Sequence, residues 1–437
     1  MEIFSSYNLI IVASLIIILS FWFNGIAKRT NIPSVLLLIV LGIILQYVIK
    51  IFVKEPLNFL PALEVLGIIG LIMIVLEAAL ELELKRDKIW PIIKALSIAL
   101  LGLLASAWVA AQILYQFVPD MSMHSAWLYA TPLSILSSAI IIPSVSGLVE
   151  KKKEFHIYES TFSDIIGIIM FYFLAGQMEG QGTSAAVFSG TILLTIVIAL
   201  VASYGIILIF QEIKSQAKQF LLIAVLLLLY SLGKKLHLSS LIIILIFGLV
   251  ISNMKLFFGG RLKRFLNQDR AHQIYHELHI ITLETAFVVR TFFFVVFGIT
   301  IVLSSLLSLN VALVSLLILL SIYAIRFVVL RVFMGSDILP QLFIAPRGLI
   351  TVLLFYAIPK EALVPGFEPG ILLFVIIGTS LIMTWAMIKD KRKMGTMLDA
   401  LDAEFEARDE AYETEEEQLP EAEPDPLQDE DNRPQIT

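Results

Sequence analysis

Cysteine is absent from the 437 residues, which excludes disulfides and thiolate metal sites. Charge is scarce too, at 16% of residues against 58% hydrophobic. Where charged residues are this sparse, each one inside an apolar stretch asks for an explanation. Other chemistry is missing as well. No Ser/His or paired-Asp arrangement at catalytic spacing falls within the apolar runs, so nothing points to an intramembrane enzyme. "HELH" at residues 276–279 is not the HExxH zinc spacing, and Gly259/Gly260 lie in a basic loop without a phosphate-binding spacing. No nucleotide-binding domain follows the last apolar run, and neither a cofactor nor a nucleic-acid partner is expected.

Present instead are apolar runs of about 20 residues recurring from residue 6 to residue 388, the length that crosses a bilayer. Polar breaks divide them into thirteen expected spans: 6–26, 33–53, 60–80, 89–118, 125–149, 156–178, 184–210, 219–233, 237–257, 275–303, 305–334, 338–358 and 368–389. The first is followed by "AKRTN" without a small-residue cleavage site and reads as a retained span. Alternate loops then hold 20 and 5 Lys plus Arg. By the positive-inside rule the N-terminus lies outside and the C-terminus in the cytoplasm. The bias survives all thirteen alternations, which supports the count. The chain is an all-α polytopic protein over residues 1–396, expected in the plasma membrane.

Residues 397–437 are a different material, with 16 Asp plus Glu against 2 Arg. Such a tail buries too little apolar surface to fold and is expected to be a disordered cytoplasmic appendage. Its net charge of −14 accounts for the overall −6 and leaves the membrane part at +8.

Ionisable groups inside a bilayer are functional candidates by default. Span six contains "ESTFSD", with Glu159, Ser163 and Asp164. Glu159 and Asp164 project about 140° apart on a helix, so they do not share one proton or one metal as a close pair. Two separate jobs follow, one carboxylate neutralised by a fixed cation and the other left without one. Cations are available in Arg290 of span ten, Arg326 of span eleven and Arg347 of span twelve. Glu284 shares span ten with Arg290, about 120° away, so each needs a partner from elsewhere. His272, His276 and His279 fall on one helix face just before span ten, either a pH-sensing patch or a solvated face.

Spans five and twelve carry prolines where a regular helix has none: "TPLSILSSAIIIPSV" and "LPQLFIAPRGLITVLLFYAIP". Free backbone at membrane depth is tolerated only when buried in protein or lining a wet cavity, so both read as broken helices. Seven spans separate them, as inverted repeats require. Asp164, Ser163, Ser137, Ser138 and the carbonyls at the break in span five supply the oxygens that replace a cation's hydration shell. The same carboxylate can be neutralised by a proton instead. If only the two neutral forms cross the apolar barrier, exchange is obligatory and one cation moves per proton.

These motifs resemble those of the monovalent cation:proton antiporters, the superfamily that includes the sodium/proton exchangers. "ESTFSD" resembles the family's "ESLFND"; "LEAAL", with Glu77, is similar to "FEAAL"; and "LELEL", with Glu81, resembles the "LELDL" that follows it. "RFVVLR" occupies the position of the span-eleven arginine, and "PRGLITVLL" that of the span-twelve "RG" signature. The resemblance implies a homodimer with the sodium/proton antiporter fold. It further implies that Asp164 alternates between cation and proton, that Glu159 pairs with Arg326, that Glu77 approaches the ion from span three and that Arg347 stabilises span twelve. Glu81, Glu284 and Arg290 are secondary candidates. Ser163 departs from the family's Asn, and "SSA" at residues 137–139 departs from "TDP" and is closer to the "SST" of potassium-efflux relatives. Na+ or Li+ is the expected cation, with K+ kept open. A channel-like conduit and a sodium-coupled organic-anion symporter remain the alternatives.

Overall fold

In the computed structural model of the chain the described residues are 6–30, 33–52, 60–82, 84, 88–178, 185–213, 218–236, 238–258, 267–301 and 308–390. They are helical with no strand among them. Residues 1–386 form one unit; of the second, 387–437, only the last turn of a helix is described, and the acidic tail lies outside the described residues.

The helices run α1 (Ser6–Thr30), α2 (Ser34–Phe52), α3 (Leu60–Glu81), α4 (Ile89–Phe117), α5 (Met123–Ser134), α6 (Ser138–Ser144), α7 (Glu150–Met178), α8 (Ala185–Phe210), α9 (Lys218–Lys235), α10 (Ser240–Ser252), α11 (Met254–Phe257), α12 (Gln268–Thr300), α13 (Leu309–Met334), α14 (Leu349–Tyr356) and α15 (Gly370–Asp390). Helical residues lie in every one of the thirteen expected segments. Nine helical stretches among the described residues are long and apolar enough to cross a bilayer, with α5 and α6 counted as one. Large apolar side chains including Phe21, Trp22, Trp90 and Trp108 stand more than half exposed. A patch of that kind suits lipid, and the chain is an integral membrane protein.

Span five divides into α5 and α6 around extended residues 135–137, and span twelve into a short turn at Gln341–Phe343, an irregular stretch 344–348 and α14. Pro346 disfavours helical backbone at Ala345, which keeps the second break open. A third interruption, at Asn253 between α10 and α11, carries no proline. There the side chain ties the break to the residue after α3, its Nδ2 donating to Leu82 O at 2.8 Å and to Leu249 O at 3.0 Å.

Around these breaks α4 packs on α5, α7 and α13, while α12 packs on α2 and α3, and α10 on α3 and α8. The α2–α12 crossing is held by small residues. A Cβ on Gly42 would meet Val295 O, and one on Gly298 would meet Ile39 O. Backbones at this separation gain dispersion along the whole crossing, the main source of helix association in lipid. Gln46 Nε2 adds bonds to Ile299 O (2.7 Å) and Ile301 O (2.9 Å), closing the end of α12.

Gly42→Ala should therefore separate α2 from α12 and destabilise by about 1–3 kcal/mol, the usual cost of overpacking. Thermal melts of detergent-purified protein check this against Gly25→Ala, where nothing lies within 4 Å of the added methyl. Equal melting temperatures for the two variants would mean that the α2–α12 crossing yields without cost.

Candidate functional site

The two breaks meet. Breaking α5 frees backbone groups that α-helical bonding would have used, and each finds a replacement nearby. Leu136 N–H, which a continuous helix would give to Pro132 O, donates instead to Ser163 Oγ of α7 at 3.0 Å. Ser137 N–H, released from Leu133 O, donates across the crossing to Pro346 O at 2.9 Å. Leu133 O in turn accepts Arg347 Nε at 2.8 Å. Pro143 has no N–H to give to Ala139 O, and that carbonyl accepts Arg290 Nη1 at 2.9 Å.

Arg347 is buried and makes a second side-chain bond, to Ala345 O at 3.2 Å, while its backbone N–H donates to Thr379 Oγ1 of α15 at 3.0 Å. Its charge is spread over the loose ends of both broken segments. Gly348 completes the crossing by having no side chain, since a Cβ there would lie 2.6 Å from Ser137 Oγ and 2.8 Å from Ile140 Cδ1.

Two arginine–carboxylate pairs surround the crossing. Arg326 grips Glu159 with both prongs, Nη1 to Oε1 at 2.7 Å and Nη2 to Oε2 at 2.9 Å, and donates Nε to Gln341 O at 3.0 Å. The pair is buried, ties α7 to α13, and is bidentate, the geometry that best compensates two desolvated charges. Arg290 Nη2 reaches Glu77 at 3.1 and 3.3 Å, which ties α12 to α3. Glu77 is thus held by a cation one turn from the α3 residues that line the cavity described next. The sequence left Arg290 without a partner because helical spacing gives a face and not a neighbour.

Asp164 is different. It is 2% exposed, and neither carboxylate oxygen has a hydrogen-bond partner. The hydroxyl and N–H of Ser138, at the start of α6, are the donors that face it, short of normal bonding geometry. It lines a small cavity whose walls are otherwise apolar, from Ile74, Val75 and Ala78 of α3, Ile165 and Ile168 of α7, and Leu241 and Leu245 of α10. Ser137 Oγ is also buried and unpartnered. A second small cavity is lined by Glu159, Ser163, Arg326 and Arg347. Consecutive residues of α7, Ser163 and Asp164, therefore open on different cavities, with the crossing of the breaks beside them.

The remaining candidates lie apart. Glu81 pairs with His279 Nε2 at 3.0 Å, and Tyr275 stacks between His272 and His279. Glu284 is exposed on α12 and joins none of these groups. Among the described residues no three His, Cys, Asp or Glu side chains cluster as a metal site. Two residues of the site had no sequence signal. His156 is wholly buried beside Glu159, and Thr379 accepts the Arg347 N–H. Their environment comes from helices distant in sequence.

Residues 11–389 match the family model described as sodium/hydrogen exchanger, transmembrane. Among solved structures, that of the sodium proton antiporter MjNhaP1 from Methanocaldococcus jannaschii at pH 8 superposes with a TM-score of 0.63 at 19% identity, covering 89% of this chain and 99% of that one. An electron-microscopy structure of the same antiporter gives a TM-score of 0.62 at 19% identity, over 90% and 97% of the two chains. No curated protein sequence matches significantly.

Removing one partner of the Glu159–Arg326 pair leaves the other charge buried alone, at about 3–5 kcal/mol. Glu159→Ala and Arg326→Ala should each lower the melting temperature strongly, and the double variant should recover part of the loss. Additive losses in thermal melts would show that the contact carries no coupling. Ser163→Ala strands the Leu136 N–H and should cost about 1–3 kcal/mol by the same measurement.

Proposed function

This chain belongs to the sodium/hydrogen exchanger family, and from that premise we propose that it is a secondary antiporter that exchanges Na+ or Li+ for H+, one for one, by alternating access at Asp164. K+ is the third cation to be tried in the same assay. The observation that carries the reading is the state of the buried carboxylates. Among the described residues Glu159 and Asp164 are the two fully buried acids; an arginine neutralises the first and no cation meets the second. A lone carboxylate in a low-dielectric interior is costly, and a proton or a monovalent cation removes that cost equally well. Competition for one negative charge is the coupling.

In this reading Asp164 provides the charge, and the hydroxyls of Ser137 and Ser138 supply neutral oxygens beside it, as a weakly held hard cation requires. Ser163 contributes by holding the break open through Leu136 N–H, and Glu77 by anchoring Arg290, which holds Ala139 O of α6. Arg347 keeps the two broken segments joined. The apolar cavity wall keeps the ionised, empty carboxylate from crossing, which prevents uncoupled leak. The homodimer, the cytoplasmic C-terminus and the plasma-membrane location complete the proposal.

Asp164→Asn should abolish exchange while the protein folds and inserts, since the amide offers neither a proton site nor a charge. The check is uptake into proteoliposomes driven by a pH gradient, with Na+, Li+ and K+ supplied in turn and wild type alongside. Saturable uptake that collapses the pH gradient identifies an antiporter. Coupled flux retained in Asp164→Asn, or a cation current without proton movement in wild type, would overturn the mechanism.

A further inference from the structure

Lys234 and Lys235 end α9 and are two of the five cationic residues in the poorer set of loops. Both are exposed, and among the described residues no carboxylate pairs with Lys234. Its ammonium meets the ring of Tyr172 on α7 instead, with Nζ 5.3 Å from the ring centroid. A cation at that distance is attracted by the ring's quadrupole. Tyr230, one turn earlier on α9, is buried and shares the face that carries Lys234. The contact lies over one end of the Asp164 cavity. Asp164, Ile168 and Tyr172 follow one another along a single face of α7, and Tyr172 stands about 12 Å beyond the carboxylate at the helical rise. Ile168 is a wall of the cavity, and so are Leu241 and Ile242 in the first turn of α10. The end of α9 presses on that same turn, since a Cβ on Gly233 would lie 3.2 Å from Ser240 Cα and 2.9 Å from Ile243 Cδ1. Lys234 directly follows Gly233 and therefore bridges the α10 wall to the α7 wall at this end. Elsewhere α7 packs chiefly on α4, α5 and α6, and α9 on α10, so the lysine–ring contact joins elements that have different neighbours.

We propose that Lys234 is a positioning residue for the ion site: its ammonium, laid on the Tyr172 ring, fastens α7 to the α9–α10 turn over the end of the Asp164 cavity, and parting of that contact opens the cavity toward the face on which Lys234 stands. Lysine suits the place because its apolar stem covers the ring's surroundings while the charge stays at the water boundary. The tie is also of the right strength. An exposed cation–π contact shifts a two-state balance by about two- to fivefold, little enough to part repeatedly, whereas the bidentate Arg326–Glu159 pair is buried and holds α7 to α13. Parting strands no group, since the ammonium returns to water. The consequence for transport rests on the exchange reading above; the closure of the cavity does not.

Because the chain has no cysteine, a single introduced one reports access without background. Ile168→Cys on α7 and, separately, Leu241→Cys on α10 place a thiol in the cavity wall behind the contact. Sealed vesicles of both orientations are treated with a membrane-impermeant methanethiosulfonate, and Lys235→Cys marks the orientation that presents the Lys234 face. From that face Lys234→Gln should raise the labelling rate of either reporter about two- to fivefold. Lys234→Arg, which keeps a cation for the ring, should label at the wild-type rate. Lys235→Gln removes the same charge without a described ring contact and gives the effect of surface charge alone. Labelling in Lys234→Gln no faster than in Lys235→Gln overturns the closure. If neither reporter folds, hydrogen–deuterium exchange at the end of α7 is compared in Lys234→Gln and wild type; faster exchange in the variant upholds the closure and equal exchange overturns it. In proteoliposomes the half-saturating Na+ supplied at the Lys234 face should fall by a similar factor in Lys234→Gln, with exchange retained. Faster labelling with an unchanged half-saturation overturns the transport half, and a wild type that exchanges nothing overturns the exchange reading while the labelling result still decides the closure.

Discussion

A peptide group that leaves its helix inside a bilayer has no water to turn to, and the structure is organised around that constraint. Breaking span five releases the N–H groups of Leu136 and Ser137 and the carbonyl of Leu133, and Pro143 releases the carbonyl of Ala139. Their replacements come from α7, from α12 and from the second broken segment. Of these, α7 carries Asp164 itself, and the second broken segment reaches the cavity beside it through Ile350 of α14. Chain breakage and site construction are one event: the backbone freed by the break is what calls Ser163, Arg290 and Arg347 to this place.

Electrostatics follows the same logic one level up. Three arginines are brought into the interior, and two of them meet carboxylates, Arg326 with both prongs of its guanidinium and Arg290 through Nη2 alone. The third, Arg347, is held by carbonyl dipoles, which need its charge as much as it needs theirs. Among the described residues Asp164 is the fully buried acid that no arginine or lysine meets, and in the proposed function its counter-charge is supplied from outside. A transport site differs from a structural ion pair in that respect alone, since both bury a carboxylate and only one comes with its own cation.

Much of this was legible in the chain. Run length gave the helices, and prolines located the two breaks, because both are local properties of backbone and bilayer. Glu159, Asp164, Arg326 and Arg347 stood out because a charge in an apolar run is costly wherever it ends up. Partners were harder. Period along a helix says which side chains share a face, and leaves open what faces them, so Glu77 and Arg290 drew separate attention and the contact between them none. Glu284 is the reverse case, an acid inside an apolar run that stands exposed on α12. Ser163 reads as an ion ligand in the sequence; that its hydroxyl also accepts the Leu136 amide is visible only once α5 is known to break beside α7. His156 gave no signal because a lone histidine in "KEFHIYES" next to three lysines reads as an interfacial residue until the helix packing submerges it.

The bond from Ser137 N–H to Pro346 O has a mechanical meaning. Parting it inside the membrane would strand a donor and an acceptor together, so the bond makes the two broken segments one joined body. Gly348 sits at the rivet of that body, where its missing side chain lets two strands of backbone be joined as if they were one.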